Sequence, residues 1–501
     1  MKHALKSCLL ILILAHSCLL AGCAARIAAP VLAGTPARVG ADLEKFFSDP
    51  IFAGAQWGVE VLSLDRGDVL YAHNPTRLYM PASNNKILTA AAALVRLGPD
   101  FLYETRISAE GSITDGTLRG NLIITGSGDP SLAPRFHNGD PFRVFKDWAA
   151  KLKEKGIRKI DGAIVGDARA FPPPYFGTGW EWDDLTYGYA APVTALQFNE
   201  NLITVEVIPG ETEGSAATVR CRPVPDYLSI DAAVTTLPAG ARGNIDVRRG
   251  VQGESLIVRG TIAAKAKPDS TTISVEKAAT YYLAALKKTL LEEGLDVSGA
   301  AIREPADLDP PAPPAGSALW THSSPPLAEI VRPLLKVSQN LYAETLARTL
   351  GLALRNEGSF EAGREVVLAA LQGMAIPSGT FAYADGSGLS RHNLVSADML
   401  VRIFRYMYRH RSFQIFYDAL PIAGVDGTIS GRMRGTKAAN NVHAKTGTVA
   451  QVRCLSGYVK TADGEMLAFA MIANNFLAPN SAVEYVQDSA LEYLANFRRG
   501  K

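Results

Sequence analysis

Apolar and polar positions alternate in ways that divide the chain into distinct segments. After Pro81-Ala82-Ser83-Asn84-Asn85-Lys86, the residues Ile87, Leu88, Ala91, Leu94 and Val95 recur at helical spacing and predict a buried helix to about Leu97. Upstream, 41–47 reads as a short helix, and 57–64 and 69–71 as strands joined by the turn residues Asp65-Arg66-Gly67-Asp68. Far downstream, Pro325-Pro326 opens a periodic segment, as proline does at a helix start. Ser338-Gln339-Asn340 opens another, from Leu341 to Leu350, and 361–373 and 397–410 read as further helices. Residues 446–450, 451–459 and 466–473 read as strands, and 481–497 as a closing amphipathic helix.

Between these two groups the pattern changes. From about 106 to 317, short strands alternate with Gly, Pro and Asp, and one helix is clear within 274–294, marked by Ala278, Tyr282, Leu283, Leu286 and Leu290. The stretch closes on Asp309-Pro310-Pro311-Ala312-Pro313-Pro314, a stiff linker by composition. Removing it leaves 40–105 and 318–501, about 250 residues, a suitable size for one α/β catalytic domain carrying a large, mostly-β insertion.

The N-terminus adds an export signal. Lys2 and Lys6 precede an apolar stretch, Leu9 to Leu14 with Leu19 and Leu20, which His16 and Ser17 interrupt and which is too short to span a bilayer. It ends in Leu20-Ala21-Gly22-Cys23, which looks like a bacterial lipobox that would leave Cys23 lipidated; Ala24 after it points to the outer membrane. The competing reading is cleavage near Ala25 or Ala29, giving a soluble periplasmic protein. Residues 24–40, rich in Ala, Pro and Gly, read as a tether.

Composition narrows the partners. The chain has 501 residues, 47% hydrophobic and 20% charged, as in ordinary globular proteins of two or three domains. Its net charge of +2 matches Lys2 and Lys6 of the signal, so the remainder is neutral and gives no electrostatic reason to expect nucleic acid. Cys8 and Cys18 leave with the signal; Cys454 falls in an apolar strand beside the Lys445-Thr446-Gly447 stretch and Cys221 in another region, so Cys454 reads as a buried free thiol rather than half of a disulfide. Scattered Cys and His show no metal-ligand spacing, and no cofactor is expected.

The candidate chemistry begins with Ser83 and Lys86, one helical turn apart on one face. A serine hydroxyl needs a base to become a nucleophile, and a desolvated amine can be that base. Alone the pair is weak, since serine is a common N-cap. Two further motifs follow in order, Ser338-Gln339-Asn340 and Lys445-Thr446-Gly447-Thr448. The sequence S-x-x-K, S-x-N, K-T-G resembles the three-part active site of penicillin-binding proteins and serine β-lactamases. The long insertion between Lys86 and Ser338 narrows the resemblance to low-molecular-mass class C penicillin-binding proteins, the D-alanyl-D-alanine carboxypeptidase/endopeptidase family. Gly126 to Leu132, Gly179 to Pro192, Asp385 to Arg391 and Val425 to Met433 carry it as well.

That resemblance implies an α/β (α+β) transpeptidase-like domain with an antiparallel sheet flanked by helices. Its insertion would form one domain at 106–126 and 226–317, with a second nested at 127–225. It implies Ser83 as nucleophile, Lys86 as base with its pKa lowered by burial and by Lys445, and Ser338 as proton relay. Asn340 would hold Lys86 and the substrate amide. Lys445, Thr446 and Thr448 would bind the substrate's terminal carboxylate, and Gly447 would let substrate lie along the strand edge. The N–H groups of Ser83 and Thr448 would form the oxyanion hole. Arg391 and Asp184 would contact substrate, Asp184 by pairing with the side-chain ammonium of diaminopimelate. For Asp184 the competing reading is a solvated turn whose aromatics cover a domain interface. The implied partners are peptidoglycan peptides, with β-lactams as covalent inhibitors. Four activities stay open on these motifs: carboxypeptidase, endopeptidase, β-lactamase or esterase, and non-catalytic wall binding.

Overall fold

A computed structural model describes residues 32–224, 227–249, 255–303 and 316–499. The signal, the lipobox with Cys23 and the proline-rich run at 309–314 lie outside the described residues. Two five-stranded sheets organise the rest. The first is antiparallel throughout, in the order His443–Val449, Val452–Lys460, Met466–Asn474, Gln56–Ser63, Val69–His73. Every residue of Met466–Asn474 is buried because helices cover both faces, which explains its unbroken apolar sequence. Ala468, Ala470 and Ile472 pack into the cluster that includes Ile87, Leu88 and Leu94, whereas Leu467, Phe469 and Met471 pack with Leu43 and Leu491 of the opposite layer.

The helix Asn85–Arg96 sits at the centre of its layer, against Asn340–Arg355 and Phe360–Gly373. Its residues from Asn85 to Leu94 are all buried. Ile87, Leu88 and Leu94 are wholly so, and burying such side chains stabilises the fold by about 1.5–3 kcal/mol each. A helix buried on all sides must find partners for Asn85, Lys86 and Thr89 inside the protein. That requirement shapes the site described below.

The insertion is built on the second sheet, ordered Asp296–Arg303, Lys159–Asp167, Thr117–Thr125, Glu104–Thr114, Ser317–Ser323. The chain leaves and re-enters through the paired strands Glu104–Thr114 and Ser317–Ser323, with Glu104 opposite Ser323. Residues 318–323, expected in the catalytic domain, therefore belong to the insertion's sheet. Helices Arg143–Glu154 and Ala278–Glu292 share its core. Two three-stranded sheets complete it: Asn244–Arg249, Ser255–Ala263, Ser229–Leu237, and Asp269–Ser274, Leu202–Ile208, Thr218–Arg222.

Two expected boundaries change. The nested unit at 127–225 is not self-contained, because Lys159–Asp167 pairs on both sides with strands outside it, Thr117–Thr125 and Asp296–Arg303. The two small sheets instead draw their strands from 202–274. Short glycine-broken strands name no partner in sequence, and these pairings span long separations. The tether also ends early. Leu32–Gly34 pairs in parallel with Phe497–Arg499, and the helix Pro36–Phe47 starts on Thr35, whose hydroxyl accepts from the Arg38 N–H at 3.4 Å. A Thr cap followed by proline is a helix start, and it outweighs the local Ala/Pro/Gly composition.

The segment leading to Ser83 is pinned by Tyr79. Its ring fills the space above Gly58, where an added Cβ would lie 2.3 Å from a ring carbon, and its hydroxyl donates to the Trp57 carbonyl at 2.6 Å. Gly58→Ala is expected to cost about 1–3 kcal/mol through overpacking, read from the urea midpoint. An unchanged midpoint would show that Tyr79 moves aside freely.

Candidate active site

Ser83 lies in the single turn Ala82–Asn84, which runs directly into the helix Asn85–Arg96. The turn is held from both sides. Asn84 accepts a hydrogen bond from the Ser456 hydroxyl and donates to the Lys445 carbonyl at 3.2 Å. Asn85 donates to the Asp385 carbonyl at 2.7 Å. Ala82 has φ 45° and Ser338 φ 63°, left-handed conformations that cost non-glycine residues of order 1–3 kcal/mol each. The packing around both residues enforces them.

Lys86 Nζ donates to Ser83 Oγ at 2.9 Å, to Asn340 Oδ1 at 2.6 Å and to the Ser387 carbonyl at 2.8 Å. Burial lowers its pKa to about 7, against the opposing pull of Asp385 and Glu344. Lys445 Nζ donates to Ser338 Oγ and to the Thr446 carbonyl, both at 2.8 Å. Burial holds Lys445 well below the usual ammonium range, and the charge of Lys86 adds to that. The expected help from Lys445 in depressing Lys86 thus gives way to desolvation; the repulsion is felt at Lys445.

Ser83, Ser338, Asn340, Thr446, Thr448, Arg391 and Asp184 line one cavity of about 830 Å³, with Lys86 and Lys445 bonded to its serines from beneath. Gly447 is buried, and a Cβ there would lie 2.5 Å from the Pro81 carbonyl oxygen. Its missing side chain therefore admits the turn carrying Ser83. Asn340 is also partly committed, since its amide donates to the Tyr189 carbonyl at 2.7 Å. Arg391 pairs with Glu181 at 2.8 Å. Asp184 is half-buried and accepts from the Tyr189 hydroxyl at 2.7 Å.

Several residues of the site were not singled out by motif. Glu344, one helical turn beyond Asn340, accepts from the N–H groups of Gly386 and Ser387 at 2.9 and 2.7 Å. Burial and the nearby Asp385 raise its pKa to about 7. Asp385 accepts from the N–H groups of Gly388 and Ser390, from Asn393, and from the Trp180 indole at 2.9 Å. These two carboxylates fix the loop whose Ser387 carbonyl receives Lys86. Thr428 shares a 2.8 Å hydrogen bond with the Thr446 hydroxyl at the cavity's far side. The stretches containing Asp385 and Thr428 are conspicuous in sequence, but which side chain does what depends on long-range contact.

Comparison with known proteins identifies the relatives of this chain. A family model described as "D-Ala-D-Ala carboxypeptidase 3 (S13) family" matches residues 39–496. A D-alanyl-D-alanine carboxypeptidase of Actinomadura is 32% identical over 471 residues, covering 91% of this chain and 84% of that one. The D-alanyl-D-alanine carboxypeptidase DacB of Haemophilus influenzae is 29% identical over 429 residues, covering 84% and 86%. The crystal structure of penicillin binding protein 4 (dacB) from that organism superposes with a TM-score of 0.77 at 28% identity, covering 91% of this chain and 99% of that one. The same protein complexed with a β-lactam gives a TM-score of 0.72. With nearly the whole described fold matched by one family model, the chain belongs to the D-Ala-D-Ala carboxypeptidase 3 (S13) family of serine peptidases.

Proposed function

We propose that this enzyme removes terminal D-alanine from peptidoglycan stem peptides through an acyl-enzyme on Ser83. The observation that carries the reading is the 2.9 Å contact between Ser83 Oγ and a buried Lys86 amine whose pKa lies near 7. An amine of ordinary pKa would be charged at neutral pH and could not accept a proton. In the forward step, Ser83 Oγ attacks the carbonyl of the D-Ala-D-Ala bond while its proton passes to Lys86. The oxyanion settles on the N–H groups of Ser83 and Thr448. Ser338, between Lys445 and the cavity, relays to the leaving amine the proton taken up by Lys86, which leaves Lys86 neutral again, and free D-alanine departs. Water then hydrolyses the ester.

Lys445, Thr446 and Thr448 bind the substrate's terminal carboxylate, and Thr428 steadies the Thr446 hydroxyl. On the other side, Asp184 receives the side-chain ammonium of diaminopimelate, with Arg391 close by. A second reading, endopeptidase cleavage of cross-bridges on the same site, is favoured by the reach of the cavity past Thr446 to Thr428, Arg432 and Glu484. That space admits a leaving group larger than one D-alanine. β-Lactams acylate Ser83 because they imitate the scissile bond. The acidic lining residues are already engaged: Glu181 by Arg391, Asp184 by Tyr189 and Glu484 by Arg453. None of the three is positioned as a free base for water, and the opened β-lactam keeps its leaving amine tethered in the cavity where D-alanine would have departed, so the penicilloyl ester should persist.

The enzyme is an exported cell-wall hydrolase in this reading, with Cys23 as its lipid anchor to the outer membrane. No helix among the described residues is long and apolar enough to cross a membrane. The mass of the mature N-terminus tests the anchor: a multiply acylated Cys23 is expected, and a free N-terminus beyond residue 24 would rule it out.

Peptide mapping after penicillin labelling should find the adduct on the Ser83 peptide, and Ser83→Ala should abolish both labelling and D-alanine release. An adduct on another serine would sink the mechanism. Release of penicilloate at rates on the order of 10 per second would favour a β-lactamase instead.

The acylation rate should rise with pH through about 7 and then level off, because only unprotonated Lys86 accepts the Ser83 proton. Below that pH the amine is charged and the rate falls. A flat profile from pH 6 to 9 would remove Lys86 from the role of base.

Asp184→Ala should cost about 2–5 kcal/mol in transition-state binding of diaminopimelate peptides. Penicillin acylation and cleavage of a small neutral D-Ala-D-Ala peptide should barely change. Equal losses on all three would mean that Asp184 only supports the loop.

A further inference from the structure

The loop at 180–190 has two working sides. Glu181, Asp184 and Tyr189 line the cavity at Ser83. Trp182, Asp183 and Tyr187, interleaved with them in sequence, line a second cavity of about 690 Å³ on the opposite side. Its far wall is the strand Asn244–Arg249 and Glu276. The loop is therefore a partition, and the rings of Tyr187 and Tyr189 stack across it at 5.5 Å and 15°.

The second cavity is unusual in what it leaves in water. Trp182 is 85% exposed and Tyr187 48%, and Phe176 lines the same space. Large rings held open at a cavity mouth are costly to leave in water and mark a contact surface. Around them stand carboxylates of Asp183, Asp246 and Glu276. The arginines are already engaged, Arg248 with Asp246 at 2.6 Å and Arg249 with the Ser274 carbonyl at 2.5 Å. Acids and arginines nearly balance, so the cavity has no strong charge with which to seize an ionic ligand. Flat rings beside hydrogen-bond acceptors instead suit a neutral ligand with apolar C–H faces and a rim of hydroxyls, which is the chemistry of a pyranose. The volume falls within the roughly 300–1,000 Å³ typical of small-ligand sites.

We infer that this cavity is a saccharide subsite, binding the N-acetylated amino sugars of the glycan from which the stem peptide hangs. The inference rests on the reading of the Ser83 cavity as a site for that peptide. Trp182 stacks on one sugar ring and Tyr187 on its neighbour, while Asp183 and Glu276 accept from hydroxyls. The peptide passes the partition to the Ser83 side, so glycan and stem are held at once by one loop. The effect would appear in KM, because the sugar contacts are equal in ground state and transition state.

The test compares a free pentapeptide with the same pentapeptide on its disaccharide, using the whole chain and Trp182→Ala. The wild type should show a KM lower by about ten-fold for the glycopeptide, equivalent to one stacked ring. Trp182→Ala should erase that preference while kcat and the free-peptide KM stay as they were. Equal KM values for the two substrates in the wild type, or an equal loss on both in the variant, would overturn the subsite. A second measurement does not depend on cleavage: the peptide-free disaccharide should quench tryptophan emission in the wild type and fail to do so in Trp182→Ala. Quenching by the free peptide instead would assign the cavity to a second stem and overturn the proposal. If the disaccharide quenches as expected but neither substrate is cut, the sugar site stands and the peptidase reading falls.

Discussion

Desolvation of two lysine amines is the constraint on which the rest of this structure depends. Lys86 and Lys445 are both fully buried, and an amine out of water either finds hydrogen-bond acceptors or gives up its proton. The site does both. Lys86 has three oxygen acceptors, and Lys445 has two. Supplying them requires the Ser387 carbonyl and the Asn340 and Ser338 side chains to converge on the two lysines from distant stretches. Glu344 and Asp385 are the buried counter-charges that make such convergence tolerable, since they restrain the fall in the Lys86 pKa. The same two carboxylates tie down the 385–391 loop by accepting its N–H groups. One arrangement thus tunes the Lys86 amine and shapes the cavity wall.

The insertion takes part in this arrangement. Trp180 donates to Asp385, and the Tyr189 carbonyl receives Asn340. Deeper in, Glu200 accepts from Arg135, Gln339 and Tyr342, and Gln197 donates to Thr345. Gln339 and Tyr342 flank Asn340, so the helix that presents the second motif is gripped by insertion residues on its first turn. Such charge-assisted bonds fix geometry more firmly than neutral ones. The glutamine between Ser338 and Asn340 has its explanation here: its amide donates to Glu200 while its carbonyl oxygen caps Leu341. The 180–190 loop thereby carries Glu181, Asp184 and Tyr189 of the insertion to the wall of the Ser83 cavity.

The amino-acid pattern alone carried the layered domain, and the order of its three motifs carried the resemblance that implied its chemistry. Helices such as Asn85–Arg96 and Asn340–Arg355 and strands such as Val452–Lys460 declare themselves through local periodicity, because one buried face or two repeat at fixed spacing. Ser83 and Lys86 fall on one helical face by spacing alone. What sequence could not carry is partnership between distant groups. Strand Lys159–Asp167 looks the same whether it pairs within 127–225 or, as it does, with Thr117–Thr125 and Asp296–Arg303. Gly447 does not show in sequence that its missing side chain admits the Pro81 carbonyl. Glu344 is an ordinary helix residue until Gly386 and Ser387 bring their N–H groups to it. Periodicity is set by each residue and its near neighbours, whereas register, burial of charge and the sharing of a hydrogen-bond acceptor are set only when remote segments compete for the same space.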